Sequence, residues 1–363
     1  MGSAPSSSIP NFDARIRTKA GHKFRISYHD LVDHILLLGQ VIAQPEMTQE
    51  GPTLDHFIND YCSRMAQQNM TNKHQQMKLP LETEWIWHVH RLHPLNYLND
   101  CTKQLPGRKL IDKKVREVLK NYGRKHNTKA VSPSTSKNLV FVPSVDLREA
   151  VIRQRDFLEK FQQHYLYSFD LTKMDRSQFE HLVQNYVSFM KLADKNEMIV
   201  PTFDIDLIWH THMRYPSQYQ TASTSLCGFI VDHNDAIESN TLTNAYQKTA
   251  KRWEKIYKIG YGQNIDRKHL QTSQYMSSCA MVFVPCHVSS GGGASSCGAI
   301  GGSCASSCGS EGCDGGGHGG GHGGGHGGGH GGGGCGGGGH GGGGCGGGGH
   351  GGGGCGGGSC GGD

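Results

Sequence analysis

The stretch Glu84-Trp85-Ile86-Trp87-His88-Val89-His90, with Pro94 and Tyr97 behind it, returns as Asp206-Leu207-Ile208-Trp209-His210-Thr211-His212 with Pro216 and Tyr219. Each position is displaced by the same 122 residues. A carboxylate, an apolar pair, a Trp, a His-x-His, a Pro and a Tyr in one order, twice, mark an internal duplication at domain scale. Two related lobes are therefore expected, with the phrase at an equivalent place in each.

The flanking pattern is helical. Leu31, Ile35, Leu38 and Ile42 recur at three- and four-residue spacing from Tyr28 onward, behind Asp30 in a first turn. A second helix is expected near Leu54–Gln68, the phrase fills a third over Leu81–Leu92 that Pro94 should stop, and a fourth follows Gly107 near Asp112–Tyr122. The order then repeats: Asp146 to His164, Met174–Asp194, Phe203–Met213 before Pro216, and a closing helix over Asn240–Ile259. Gly228-Phe229-Ile230-Val231-Asp232 echoes Gly107 through Asp112. Only Leu139–Val142 and Ala280–Val284 read as strands. The expected fold is mainly all-α: two duplicated helical lobes and a disordered Gly-rich tail. The segments are a disordered leader (1–24), lobe 1 (25–126), a polar linker (127–138), lobe 2 (139–265), a short extended segment (266–288) and the tail (289–363).

Composition divides the chain. Of 54 glycines, 45 lie from Gly291 on, together with eight of the 13 cysteines and six of the 22 histidines. His318, His322, His326 and His330 come every four residues, and Cys335, His340, Cys345, His350, Cys355 and Cys360 every five. Glycine at nearly every other place leaves nothing to bury against the entropy of ordering. One reading of the tail is a plain flexible end. The other is a mobile chelator of Zn, Cu or Ni through those six histidines, because imidazole and thiolate suit such metals. Outside the tail stand 36 basic against 28 acidic residues, a net +8. That mild excess fits a solvated surface, with RNA contact as the alternative; the basic runs are not interleaved with aromatics.

No apolar run approaches the ~18 residues of a membrane span, and no secretory signal precedes the body. A cytoplasmic location and free thiols are therefore expected for Cys62, Cys101, Cys227, Cys279 and Cys286. Met1-Gly2-Ser3-Ala4-Pro5-Ser6 fits an N-myristoyl acceptor at Gly2, the alternative to an unmodified leader.

The phrase from Pro201 to His212 closely resembles the glycine-rich domain-containing protein family, a eukaryotic family built around a domain of unknown function. Trp85 to Leu92 with Pro94 and Tyr97, Asp146-Leu147 to Arg153-Gln154, and the Gly/Cys tail resemble its other signatures. The resemblance implies a role in stress responses or development through an unknown protein partner, and an RNA-binding segment in some members. It implies no catalytic residues.

On a helix, His88 and His90 point apart, whereas Glu84 and His88, or Asp206 and His210, share a face. A candidate interface cluster follows: Glu84, Trp87, His88, His90, Asp206, Trp209, His210 and His212. If the lobes pack about a pseudo-twofold axis, the two acid–His pairs meet and could hold a divalent metal, the enzymatic alternative. The other reading is a buried polar knot, in which each acid orients its own His, an acid or imidazole meets the indole N–H, and the tryptophans fill the core. No nucleophile elbow, P-loop, dinucleotide fingerprint or HExxH occurs, so the expected role is non-enzymatic.

Overall fold

A computed structural model describes residues 9–116, 140–262 and 276–284. It is mainly helical. The described chain opens with an antiparallel hairpin, β1 (Asp13–Arg17) and β2 (Lys23–Ser27), in which Ala14 faces Ile26 and both are buried. This corrects the expectation of a disordered leader across these residues. The Ser, Lys and Arg content suggested disorder, but Phe12, Ala14 and Ile26 supply an inward face at two-residue spacing.

Helix α1 (Tyr28–Ile42) follows at once, then α2 (Pro52–Ala66), α3 (Lys73–Met77) and α4 (Leu81–Arg91). Pro94 ends α4 as expected, and it also starts α5 (Pro94–Gln104). Its fixed φ and missing N–H suit a first helical position, which the sequence reading had not used. Residues 111–116 are not helical, contrary to the helix expected near Asp112–Tyr122; its remainder lies outside the described residues.

The second set repeats the first. Asp146 caps α6 (Leu147–Gln163) by accepting from the backbone N–H groups of Arg148 and Glu149. The short α7 (Tyr165–Ser168) leads to α8 (Arg176–Met190), which opens on a capping box between Asp175 and Gln178. Helix α9 (Phe203–Met213) matches the sequence expectation residue for residue, and α10 (Pro216–Cys227) again begins on the proline. Gly228 stops α10 at φ +83°, a left-handed conformation open to glycine. After β3 (Asp232–Asn234) and α11 (Ser239–Tyr257), β4 (Ala280–Val282) pairs antiparallel with β3. Residues 140–142 form no strand. The linker 127–138 and the tail lie outside the described residues.

The two sets exchange partners: α6 packs on α4, and α1 on α9. A reciprocal pair of hydrogen bonds ties them. Leu95 N–H, at the start of α5, donates to Asp232 Oδ1 (3.3 Å), and Ser217 N–H, at the start of α10, donates to Asp112 Oδ1 (2.8 Å). Each carboxylate meets the N–H end of a helix from the other half, and at Asp232 burial outweighs that contact and pushes the carboxyl up to about 7. Thus α4 and α9 lie at the centre of the fold.

Candidate metal centre

Every residue of α9, and all of α4 from Thr83 on, is buried. A helix buried on all sides must satisfy its polar groups internally. The duplicated residues do so in duplicate. Trp87 Nε1 donates to Tyr97 Oη (3.0 Å), which donates to the Ile111 carbonyl (2.9 Å). Trp209 Nε1 donates to Tyr219 Oη (3.0 Å), which donates to the Val231 carbonyl (2.7 Å). A tyrosine hydroxyl meets each indole, rather than the acid or imidazole expected from the sequence. His90 Nδ1 lies 2.7 Å from Tyr61 Oη, and His212 Nδ1 2.9 Å from Tyr186 Oη. The match ends at the second ring nitrogen. His90 Nε2 reaches Asp100 Oδ2 at 3.1 Å, whereas His212 Nε2 is buried without a hydrogen bond, because Ala222 stands at the place of Asp100. Burial holds the His212 imidazole down at about 3.

The acids diverge further. Lys113 Nζ donates to Glu84 Oε1 at 2.6 Å, with Arg91 Nη2 at 3.5 Å and Arg214 Nη2 at 3.8 Å from the same oxygen. Asp33 of α1 adds a second carboxylate, 2.8 Å from Arg214 Nη2 and 3.6 Å from Lys113 Nζ. All five side chains are buried. Buried charges need such pairing, since each costs several kcal/mol to desolvate.

Asp206 stands where Glu84 stands, equally buried, yet no lysine or arginine among the described residues pairs with it. Its neighbours are neutral or titratable: His210 Nε2 at 3.1 Å from Oδ1, Cys279 Sγ at 3.2 Å, and the Ser277 hydroxyl, which donates to Oδ2. The counterpart of Lys113 is His233, one residue past the matching Asp112 and Asp232. His233 Nε2 faces His210 Nε2 at 3.0 Å. One ligand atom from each of Asp206, His210, His233 and Cys279 lies within 4.8 Å of all the others, and all four residues are buried.

Burial pushes the Asp206 carboxyl up, but His210, His233 and Ser277 outweigh it and hold it at about 2. Burial, reinforced by His210, holds His233 down at about 3. Burial, reinforced by Asp206, pushes the Cys279 thiol well above its usual range. Phe157 stacks on His210 at 4.4 Å, and Trp209 meets His233 edge-on at 5.1 Å. These rings fix the imidazoles and keep the site apolar around its donors.

The two acid–His pairs expected to meet do not do so as a set. Asp206 pairs with its own His210, while Glu84 joins the cations. His88 turns toward His34 (ring centroids 4.8 Å) and Trp85 (5.6 Å), with neither ring nitrogen hydrogen-bonded. His34 Nδ1 reaches Thr211 Oγ1 at 2.9 Å, and burial holds both His34 and His88 well below the usual range. The rings of His88 and His210 are 6.3 Å apart, close but not sharing a ligand set. The tail histidines lie outside the described residues.

Sequence reasoning missed His233, Cys279, Ser277, Lys113 and Asp33. For His233 a signal existed: carrying the Asp112/Asp232 echo one residue further sets Lys113 against His233. Cys279 comes from a distant segment, and no local spacing announces it.

A helical body with a doubled Trp–His helix, followed in sequence by a glycine-rich tail, is the class these features define. The family model for glycine-rich domain-containing protein-like chains matches residues 112–222, bearing out the resemblance read from the motifs. The chain is similar to Glycine-rich domain-containing protein 2 of Arabidopsis thaliana, 28% identical over 252 residues, covering 62% of this chain and 32% of that protein. Glycine-rich domain-containing protein 1 of the same plant is 26% identical over 263 residues, covering 63% of this chain and 31% of that protein. The matches thus span about a third of those relatives' length. No solved structure matches.

Proposed function

We propose that this chain is a non-enzymatic metal-binding protein whose body holds one zinc-like ion on Asp206, His210, His233 and Cys279. One observation carries the reading: among the described residues no lysine or arginine pairs with the buried carboxylate of Asp206, while its duplicate Glu84 has Lys113. A divalent ion would supply the charge that Lys113 supplies in the other half. Two imidazoles, a thiolate and a carboxylate are a borderline-soft set suited to Zn²⁺. Zinc bond lengths place tetrahedral donors about 3.3–3.8 Å apart. The contacts of 3.0, 3.1 and 3.2 Å, with every donor pair within 4.8 Å, bracket that range. Four protein donors fill a tetrahedral shell and leave no position for a substrate, which favours a structural role over catalysis. A cytoplasmic location would keep Cys279 reduced for ligation.

Thermal unfolding with added Zn²⁺ tests the reading. An ion that binds only the folded body raises Tm, whereas tail chelation acts equally on folded and unfolded chains and leaves it unchanged. The expected result is a rise of several degrees in the full chain, abolished by His233→Ala. No rise, or the same rise in the variant, would overturn the reading.

The tail supports a separate, weaker proposal. His318, His322, His326, His330, His340 and His350 would chelate Zn²⁺, Cu²⁺ or Ni²⁺ with several ions per tail. Glycine spacers impose no geometry, so each ion would bind more weakly than at a preformed site. Calorimetric titration of the isolated tail peptide at pH 7 and pH 5 tests this. Heat at pH 7 that disappears at pH 5 supports it; no heat at pH 7 refutes it.

A further inference from the structure

We infer that the outer face of α11 is a docking surface for an anionic lipid bilayer. Lys248, Lys251 and Lys255 recur at three- and four-residue spacing on its exposed side, and exposed Lys258 continues the row past the helix end. Among the described residues no carboxylate pairs with any of the four; Arg252, one turn from Lys248 and beside the row, takes Asp194 and Glu197.

At the same end stand two of the few large apolar side chains left in solvent, Ile256 (51% exposed) and Ile259 (41%). Lysines flanking exposed isoleucines match a surface that lies on a membrane: the ammonium groups meet anionic headgroups while the isoleucines enter the acyl boundary. The surface between Lys251, Glu254, Lys255 and Lys258 is shallow, which suits a flat partner better than an inserted peptide. Single-stranded nucleic acid is held by stacking its bases on aromatic faces as well as by charge. The aromatics of this helix turn inward instead: Trp253 packs on Tyr257 (4.6 Å) and Tyr261 (5.2 Å), and Tyr246 on Tyr261 (5.4 Å). No helix of the described residues can cross a membrane, so contact here would be peripheral. A basic patch alone binds weakly.

The test is sedimentation of the full, unacylated chain with phosphatidylcholine vesicles, with and without phosphatidylserine, at low salt. Binding should require phosphatidylserine. Each lysine near a charged leaflet contributes about fivefold in affinity, so Lys251→Glu with Lys255→Glu should lose more than tenfold. Ile256→Ser with Ile259→Ser should also weaken binding. Both variants alter exposed side chains, and unchanged thermal unfolding confirms that they fold. No binding to phosphatidylserine vesicles, or equal binding by both variants, would overturn the inference. So would retention of single-stranded RNA that depends on the lysines but not the isoleucines, which would mark a nucleic-acid face.

Discussion

Lys113 and His233 occupy equivalent places in the two halves, and they differ in the property that matters most in a buried site, a permanent charge. Lys113 Nζ lies 2.6 Å from Glu84, while His233 Nε2 lies 3.0 Å from His210, which in turn lies 3.1 Å from Asp206. One half carries its own cation. The other gathers donors around a carboxylate.

Removing that built-in cation should be costly. Lys113→Met keeps the length of the side chain but leaves Glu84 and Asp33 buried with less compensation. Breaking a buried pair on one side costs about 3–5 kcal/mol. Urea unfolding should show that loss, and a change below about 1 kcal/mol, typical of an exposed pair, would contradict it.

The doubled indoles should be doubly necessary. Trp87→Ala and Trp209→Ala each remove a fully buried ring and should cost about 3–5 kcal/mol in chemical denaturation. Tyr97→Phe leaves the Trp87 N–H and the Ile111 carbonyl buried without their shared hydroxyl, for about 1–3 kcal/mol. Tyr219→Phe should behave alike, and a neutral result at both would refute the account of the network.

Acid should destabilise the fold through its buried histidines, against a partial offset from Asp232, whose carboxyl burial pushes up to about 7 so that the folded chain takes up its proton first. Burial holds His212 and His233 at about 3 and His93 at about 4, below the ordinary value near 6.5. In that window the unfolded chain binds protons that the folded one refuses, so stability is full above about pH 6.5 and falls as pH drops toward 3. Denaturation midpoints measured between pH 7 and pH 4 should decline. His212→Phe, in a site already stacked on Phe24 at 5.4 Å, should flatten part of the slope. Midpoints independent of pH across that range would contradict this.

Much of the fold was legible because helix periodicity and a long repeat are local signals. Phe203–Met213 could be read off directly, and so could the duplication. The hairpin at Asp13–Ser27 was hidden because its charged outer face reads as solvated chain. Helices α5 and α10 were hidden because a proline marks a beginning as well as an end. The candidate site was half legible. Asp206 and His210 share a helix face, and spacing gives that. Cys279 lies 73 positions from Asp206, and only the pairing of β3 with β4 brings it in. The charge that separates Glu84 from Asp206 comes from Lys113, 29 positions away in sequence, and no local spacing ties the two together.

The most direct measurement is the metal content of the full chain, purified without chelators and passed over a chelating resin that strips weakly held ions from the tail. A preformed site of four donors should retain about one equivalent of zinc. Cys279→Ser and His233→Ala, which leave the tail intact, should each retain far less. Retention of no metal by the wild-type chain, or equal retention by all three proteins, would contradict the account.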